Sequence, residues 1–203
     1  MSKVYGIVGT QLMVTALLCL IPFLSPESTA FRNQGVLIAS FVVALVTMCL
    51  LTCVRKIARS VPTNYILLFI FTISMSYGVA CTCSMYEPEI VLQAAFMTAA
   101  LVIGLTFYAM TTKTDFTFLA NFMVSLAVSM IAFIILGMCM AFRMTLLYCL
   151  LGTVLFSIYL IIDTQLICGK HGLSTEDYII GAMILYLDIL NIFLFILRLL
   201  GRK

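Results

Sequence analysis

Seven apolar runs, at about 5–24, 36–54, 64–86, 90–112, 118–142, 145–168 and 178–200, limit what this chain can fold into more than any other feature. A helix needs about 20 apolar residues to cross the hydrocarbon core of a bilayer, and only helices and closed barrels satisfy their own backbone hydrogen bonds there. Barrel strands alternate over stretches of about ten residues, and no such pattern occurs here. The expected fold is therefore an all-α membrane protein, a seven-helix bundle forming a single domain over residues 1–203. Pro22 and Pro26 close the first run, Pro62 precedes the third and Pro88 opens the fourth, places where a missing backbone donor costs least. The first run is too long for a signal-peptide core and lacks a small-residue cleavage site, so it is expected to stay as a helix or signal anchor.

Composition enters at this point because it names the solvent. Only 9% of the residues are charged, against about 25% in a soluble domain. Too few polar side chains remain to coat a water-facing surface, so the lipid bilayer is the expected partner. A net charge of +3 is too small to point to nucleic acid. The eight cysteines lie mostly within or at the ends of apolar runs, where cysteine behaves as a small, soft hydrophobe. Cys81-Thr82-Cys83 is too tightly spaced for an ordinary disulfide or zinc site, and no cofactor is expected.

Lys and Arg in short loops set orientation. Lys3 precedes the first run; Arg55, Lys56 and Arg59 follow the second, Lys113 the fourth and Lys170 the sixth. The other loops hold Glu27 with Arg32, Glu87 with Glu89, and a lone Arg143. The excess places the N-terminus in the cytosol. Arg198, Arg202 and Lys203 oppose this pattern if the last run spans. Its length favours spanning, the charge rule favours a re-entrant hairpin, and the sequence leaves both open.

Asp163 and Asp188 stand apart from the other acids. Glu27, Glu87, Glu89, Asp115, Glu176 and Asp177 fall in loops or at helix ends, whereas these two interrupt apolar runs. Each costs about 2.5–3.5 kcal/mol near the middle of a membrane helix, a burden without purpose in a merely structural helix. Helical spacing puts Gly152, Phe156, Tyr159 and Asp163 on one face, and Gly181, Asp188, Asn191 and Phe195 on another. Faces with small and polar residues pack inward, and the short 169–177 loop makes the two helices antiparallel neighbours. Ser174 with Asp177 resembles a capping box that opens the last helix.

If the two carboxyls meet, both cannot be ionised cheaply, and the pair holds a shared proton. Losing that proton calls for a cation, a nearby arginine or water, which makes a pH switch with a cation site built in. The alternative is two separate aspartates, each hydrogen-bonded to a helix neighbour. Arg55, Lys56 and Arg59 read first as topology anchors, but a long arginine side chain reaches inward, which makes Arg55 and Arg59 latch candidates. His171 reads as solvated in its polar loop, and the methionines as packing filler.

These segments resemble the transmembrane Bax inhibitor motif family. The resemblance is carried by Tyr159-Leu-Ile-Ile-Asp163-Thr-Gln165, Lys170-His171, Leu173-Ser-Thr-Glu-Asp-Tyr178 and Tyr186-Leu-Asp-Ile-Leu-Asn-Ile-Phe193. Earlier matches are Lys3-Val-Tyr5, Gln11-Leu12, Pro62-Thr-Asn64, Phe71-Thr-Ile-Ser-Met75 and Thr112-Lys-Thr-Asp-Phe-Thr117. It covers the chain in order, and Phe71 to Met75 is similar to the lifeguard branch. The resemblance implies seven helices with the last one central. It also implies a pH-sensitive calcium leak from internal stores, in the endoplasmic reticulum or Golgi, linked to protection from apoptosis. The family's aspartate pair, its pH sensor and pore gate, maps onto Asp163 and Asp188, with Asn191 and Tyr159 as lining support and Arg55 or Arg59 as the latch. Some relatives carry an acid within the second or third helix where this chain has Met75, so the implied path is less acidic.

Four functions fit an intramembrane acid pair. The first is a cation leak, most naturally for calcium, since two carboxylates with Asn191 and backbone carbonyls offer few oxygen ligands and weak binding suits conduction. The second is a proton–calcium exchanger, and the third a non-conducting regulator that binds apoptosis regulators in the membrane. The fourth, an intramembrane aspartyl protease, needs a Gly-x-Gly-Asp pattern, whereas Asp163 follows Leu-Ile-Ile and Asp188 follows Leu-Tyr-Leu. No enzyme is expected.

Overall fold

The computed structural model describes residues 2–24, 33–116, 146–168 and 177–201. Seven helices lie among them: α1 Ser2–Leu24, α2 Gln34–Cys53, α3 Arg55–Ala58, α4 Thr63–Cys83, α5 Pro88–Thr111, α6 Leu146–Ile167 and α7 Tyr178–Leu200. All but α3 are long and apolar enough to cross a membrane. The helix expected at 118–142 lies outside the described residues, as do Pro26, Lys170, His171 and Ser174. The all-helical membrane fold read from the apolar runs is the fold observed.

The helix ends show how far local chemistry reaches. α1 starts at Ser2, earlier than its apolar run, because backbone hydrogen bonding continues into the interface after the side chains turn polar. Pro22 is inside the last turn of α1, which runs on to Leu24, so it does not end the helix outright. Asn33 caps α2, its side-chain oxygen accepting from the Gly35 N–H at 2.9 Å. Pro88 opens α5, where its missing N–H would have been unpaired anyway. The unexpected α3 is one turn built on Val54, whose carbonyl accepts from Ile57 N at 2.9 Å and Ala58 N at 3.2 Å.

Hydroxyls within apolar helices need internal partners, and they find them one turn back. Thr47, Thr98, Thr153 and Ser157 donate to the carbonyls of Val43, Ala94, Cys149 and Thr153. Large apolar side chains such as Leu17, Phe96, Ile103 and Phe107 stay exposed on the helix surfaces, as a lipid solvent allows.

The chain forms two compact units. One draws on Met1–Val91 and Leu173–Tyr186, the other on Leu92–Gly172 and Leu187–Lys203. In the first, α1 and α2 each pack along α4. α1 and α4 run parallel, because Gln11 meets Thr72, Thr15 meets Ser76 and Cys19 meets Cys83 in ascending order. The Gln11 amide donates to Thr72 Oγ1 at 2.8 Å, and the Thr15 and Ser76 hydroxyls are hydrogen-bonded at 2.8 Å. The Tyr186 hydroxyl of α7 joins them, 2.8 Å from Thr15 and 3.2 Å from Ser76. α7 is one uninterrupted helix of 23 residues, about 34 Å long at ~1.5 Å per residue. It has no break at which a re-entrant hairpin would reverse. In its most apolar stretch 67% of residues are buried, the largest share of any span, against 11% in α5.

Candidate functional site

The acid pair lies in the second unit, where α6 and α7 pack against each other. Gly152 makes the approach possible: a Cβ there would sit 2.5 Å from Cε1 and Cζ of Phe195. The Phe195 ring occupies that space, stacked on Phe156 with centroids 5.8 Å apart and edge-on to Tyr148 at 5.6 Å. Two positions then fix the direction of the helices. Gly152 opposes Phe195 and Asp163 opposes Asp188, so numbers rise on one helix as they fall on the other. The antiparallel hairpin expected from the short loop is the arrangement found.

The carboxyl groups of Asp163 and Asp188 interact directly. Asp163 is half-buried, and Asp188 is only 5% exposed. The Oδ2 of Asp188 and the hydroxyl of the neighbouring, fully buried Thr164 have no hydrogen-bond partner among the described residues. A buried, unpartnered carboxylate oxygen carries a large desolvation penalty, so this position calls for a proton, a water or a cation. Tyr159 is half-buried on α6, close enough for its phenol to interact electrostatically with both acids.

Other expected site residues are placed differently. The Asn191 amide donates to the Leu187 carbonyl at 2.8 Å, so its N–H serves its own helix. Arg59 meets Asp177: its Nε lies 3.0 Å from Oδ1 and a terminal nitrogen 3.2 Å from Oδ2. The latch expected between Arg59 and the intramembrane pair is thus, in this structure, a bidentate ion pair with the acid at the start of α7. Arg55 begins α3, and its side chain lies outside the described residues. Asp177 opens α7 through its backbone, its carbonyl accepting from Gly181 N at 3.1 Å, while its carboxylate faces Arg59.

Gln165 gives the same signal in the sequence as the aspartates, a polar side chain within an apolar run, but is not among the site residues expected from it. It is fully buried. Its Oε1 accepts from Phe116 N at 3.0 Å and its Nε2 donates to the Thr114 carbonyl at 2.9 Å, pinning the segment after α5 beside α6. Gln165→Leu leaves both backbone groups unpaired. It is expected to lower stability by about 1–3 kcal/mol, read as a reduced thermal midpoint in detergent.

Comparison with known proteins fits this geometry. The family model described as inhibitor of apoptosis-promoting Bax1 matches residues 1–203. The chain belongs to this family. Human protein lifeguard 3 is 37% identical over 210 residues, covering 99% of this chain and 68% of the relative. Protein LIFEGUARD 4 of Arabidopsis thaliana is 30% identical over 202 residues, covering 96% and 81%. This Bax inhibitor family member is therefore a multi-pass membrane protein of the lifeguard type, with its acid pair on α6 and α7.

Proposed function

We propose that this family member is a pH-sensitive calcium leak of intracellular membranes, endoplasmic reticulum or Golgi, with a cytosolic N-terminus. By lowering stored calcium it restrains apoptosis, the theme carried in the family's description. One observation carries this reading: a directly interacting carboxyl pair within membrane helices, one oxygen of which is buried without a partner. With a proton shared across the pair the site carries a single negative charge, held in a hydrogen bond between the two carboxyls. Without it, two like charges face each other in a low-dielectric setting, and either the helices separate or a cation enters. Two carboxylates are too few ligands for tight calcium binding, which suits an ion that must also leave.

The sequence favours a leak over a protease, since no Gly-x-Gly-Asp pattern precedes either acid. A non-conducting regulator of membrane partners has no use for the burden of the two aspartates. The test uses the purified protein in liposomes loaded with a calcium dye. Calcium is expected to enter down its own gradient with equal pH on both sides. Flux only under an imposed proton gradient points instead to exchange, and no flux under either condition to a non-conducting regulator.

A further inference from the structure

The uppermost rung of the α1–α4 ladder is a pair of thiols. Cys83 Sγ lies 4.0 Å from Cys19 Sγ, and both are free cysteines. The two lower rungs, Gln11 with Thr72 and Thr15 with Ser76, are hydrogen-bonded at 2.8 Å, so the register that brings the sulfurs together is fixed from below. The sulfurs are at van der Waals contact, and an S–S bond needs them to close to about 2 Å. Cysteine as a packing filler, the reading from sequence, explains one buried thiol but not two aligned across a parallel helix pair.

Position along the helices says which compartment the pair meets. Lys3 stands at the start of α1, and Arg55, Lys56 and Arg59 lie in and after α3, just before the start of α4. Cys19 is near the other end of α1, and Cys83 is the last residue of α4. The pair is therefore at the end opposite the basic residues, which the positive-inside rule puts away from the cytosol. Compartments on that side are oxidising. Cys83 is fully buried, but the next residues, Ser84 and Met85, are exposed, and Cys19 is partly exposed.

We propose that Cys19 and Cys83 form a redox site that closes to an intramolecular disulfide in the lumen, with a small disulfide of the glutathione class as oxidant. The accessible Cys19 attacks as thiolate on one sulfur of the oxidant, giving a mixed disulfide and releasing one glutathione thiolate, which takes up the proton. Cys83 then attacks the Cys19 sulfur, closing the protein disulfide and releasing the second glutathione as thiol. Two thiols are oxidised and one disulfide is reduced. The bond ties α1 to α4 beside the rung that also holds Tyr186 of α7. The luminal placement rests on the cytosolic N-terminus proposed above; the covalent pairing does not.

The full-length protein in detergent is equilibrated with oxidised glutathione, alkylated, digested and analysed by mass spectrometry. The expected product is a Cys19–Cys83 cross-linked peptide that reduction splits. Cys83→Ser is expected to stall with glutathione on Cys19, and Cys19→Ser to yield no cross-link at Cys83. Alkylatable thiols at both positions after oxidation, or pairing of Cys19 with Cys81 instead, overturn the redox site. A second arm alkylates intact cells before lysis. The cross-link is expected there too, and two free thiols in the cells beside a cross-link in detergent overturn the luminal assignment. Neither readout depends on ion conduction.

Discussion

Gly152→Leu is expected to abolish recovery of folded, monodisperse protein, and Gly152→Ala to lower the thermal midpoint in detergent by the equivalent of about 1–3 kcal/mol. Even the alanine Cβ would lie 2.5 Å from two atoms of the Phe195 ring. The ring is the end of a side chain and in principle able to swing aside. Here it is 7% exposed and held between Phe156 and Tyr148, so any movement disturbs both neighbours. Two comparisons separate this close approach from a general intolerance of change in membrane helices. Gly104→Ala on α5 is expected to be silent, because a Cβ there meets nothing within 4 Å. Phe195→Leu, which removes the ring, is expected to restore much of what Gly152→Ala loses. A Gly152→Ala protein as stable as the wild type would show that α6 and α7 do not pack through this point.

Asp188→Asn is expected to remove the pH response of calcium flux while leaving the protein folded. An asparagine keeps the size of the side chain and still donates to Asp163, but it cannot lose a proton, so the step from one negative charge to two that sets the pair in opposition is gone. A single titrating site changes its ratio of charged to neutral forms about tenfold per pH unit. The wild-type flux is expected to follow that steepness across the range in which the pair loses its shared proton. The variant is expected to stay within about twofold across the same range. Asp163→Asn is expected to act in the same direction, since either substitution leaves one carboxyl where there were two. Unchanged flux and unchanged pH response in both variants would remove the pair from gating. Asp177→Asn serves as a contrast, because that carboxylate faces Arg59 and its loss is expected to leave the pH profile of the gate in place.

Much of this was legible along the chain because lipid is an unforgiving solvent. A run of about 20 apolar residues has few fates, and six of the expected spans match described helices to within a few residues. Asp163 and Asp188 were visible for the same reason, since a charge within such a run is too costly to be incidental. Their shared face with Gly152 and Phe195 followed from helical periodicity, and those faces do meet. Local periodicity does not say which polar group answers which. Gln165 looks like Asp163 on paper, yet it serves as a backbone surrogate for Phe116 and Thr114. Arg59 is a long cation near several acids in sequence order, and only packing gives it Asp177.

The acid pair thus divides the two sources of information. The sequence by itself determined that this protein spans a membrane and that two carboxyls lie inside it, because transfer energies depend on composition and run length alone. Only the tertiary structure decided that those carboxyls touch, that one oxygen of Asp188 is left without a partner, that Asn191 turns to its own backbone and that two cysteines line up across α1 and α4. Those outcomes depend on helix rotation and register, set by contacts such as Gly152 against Phe195 and Thr15 against Ser76 that join residues 43 or more positions apart.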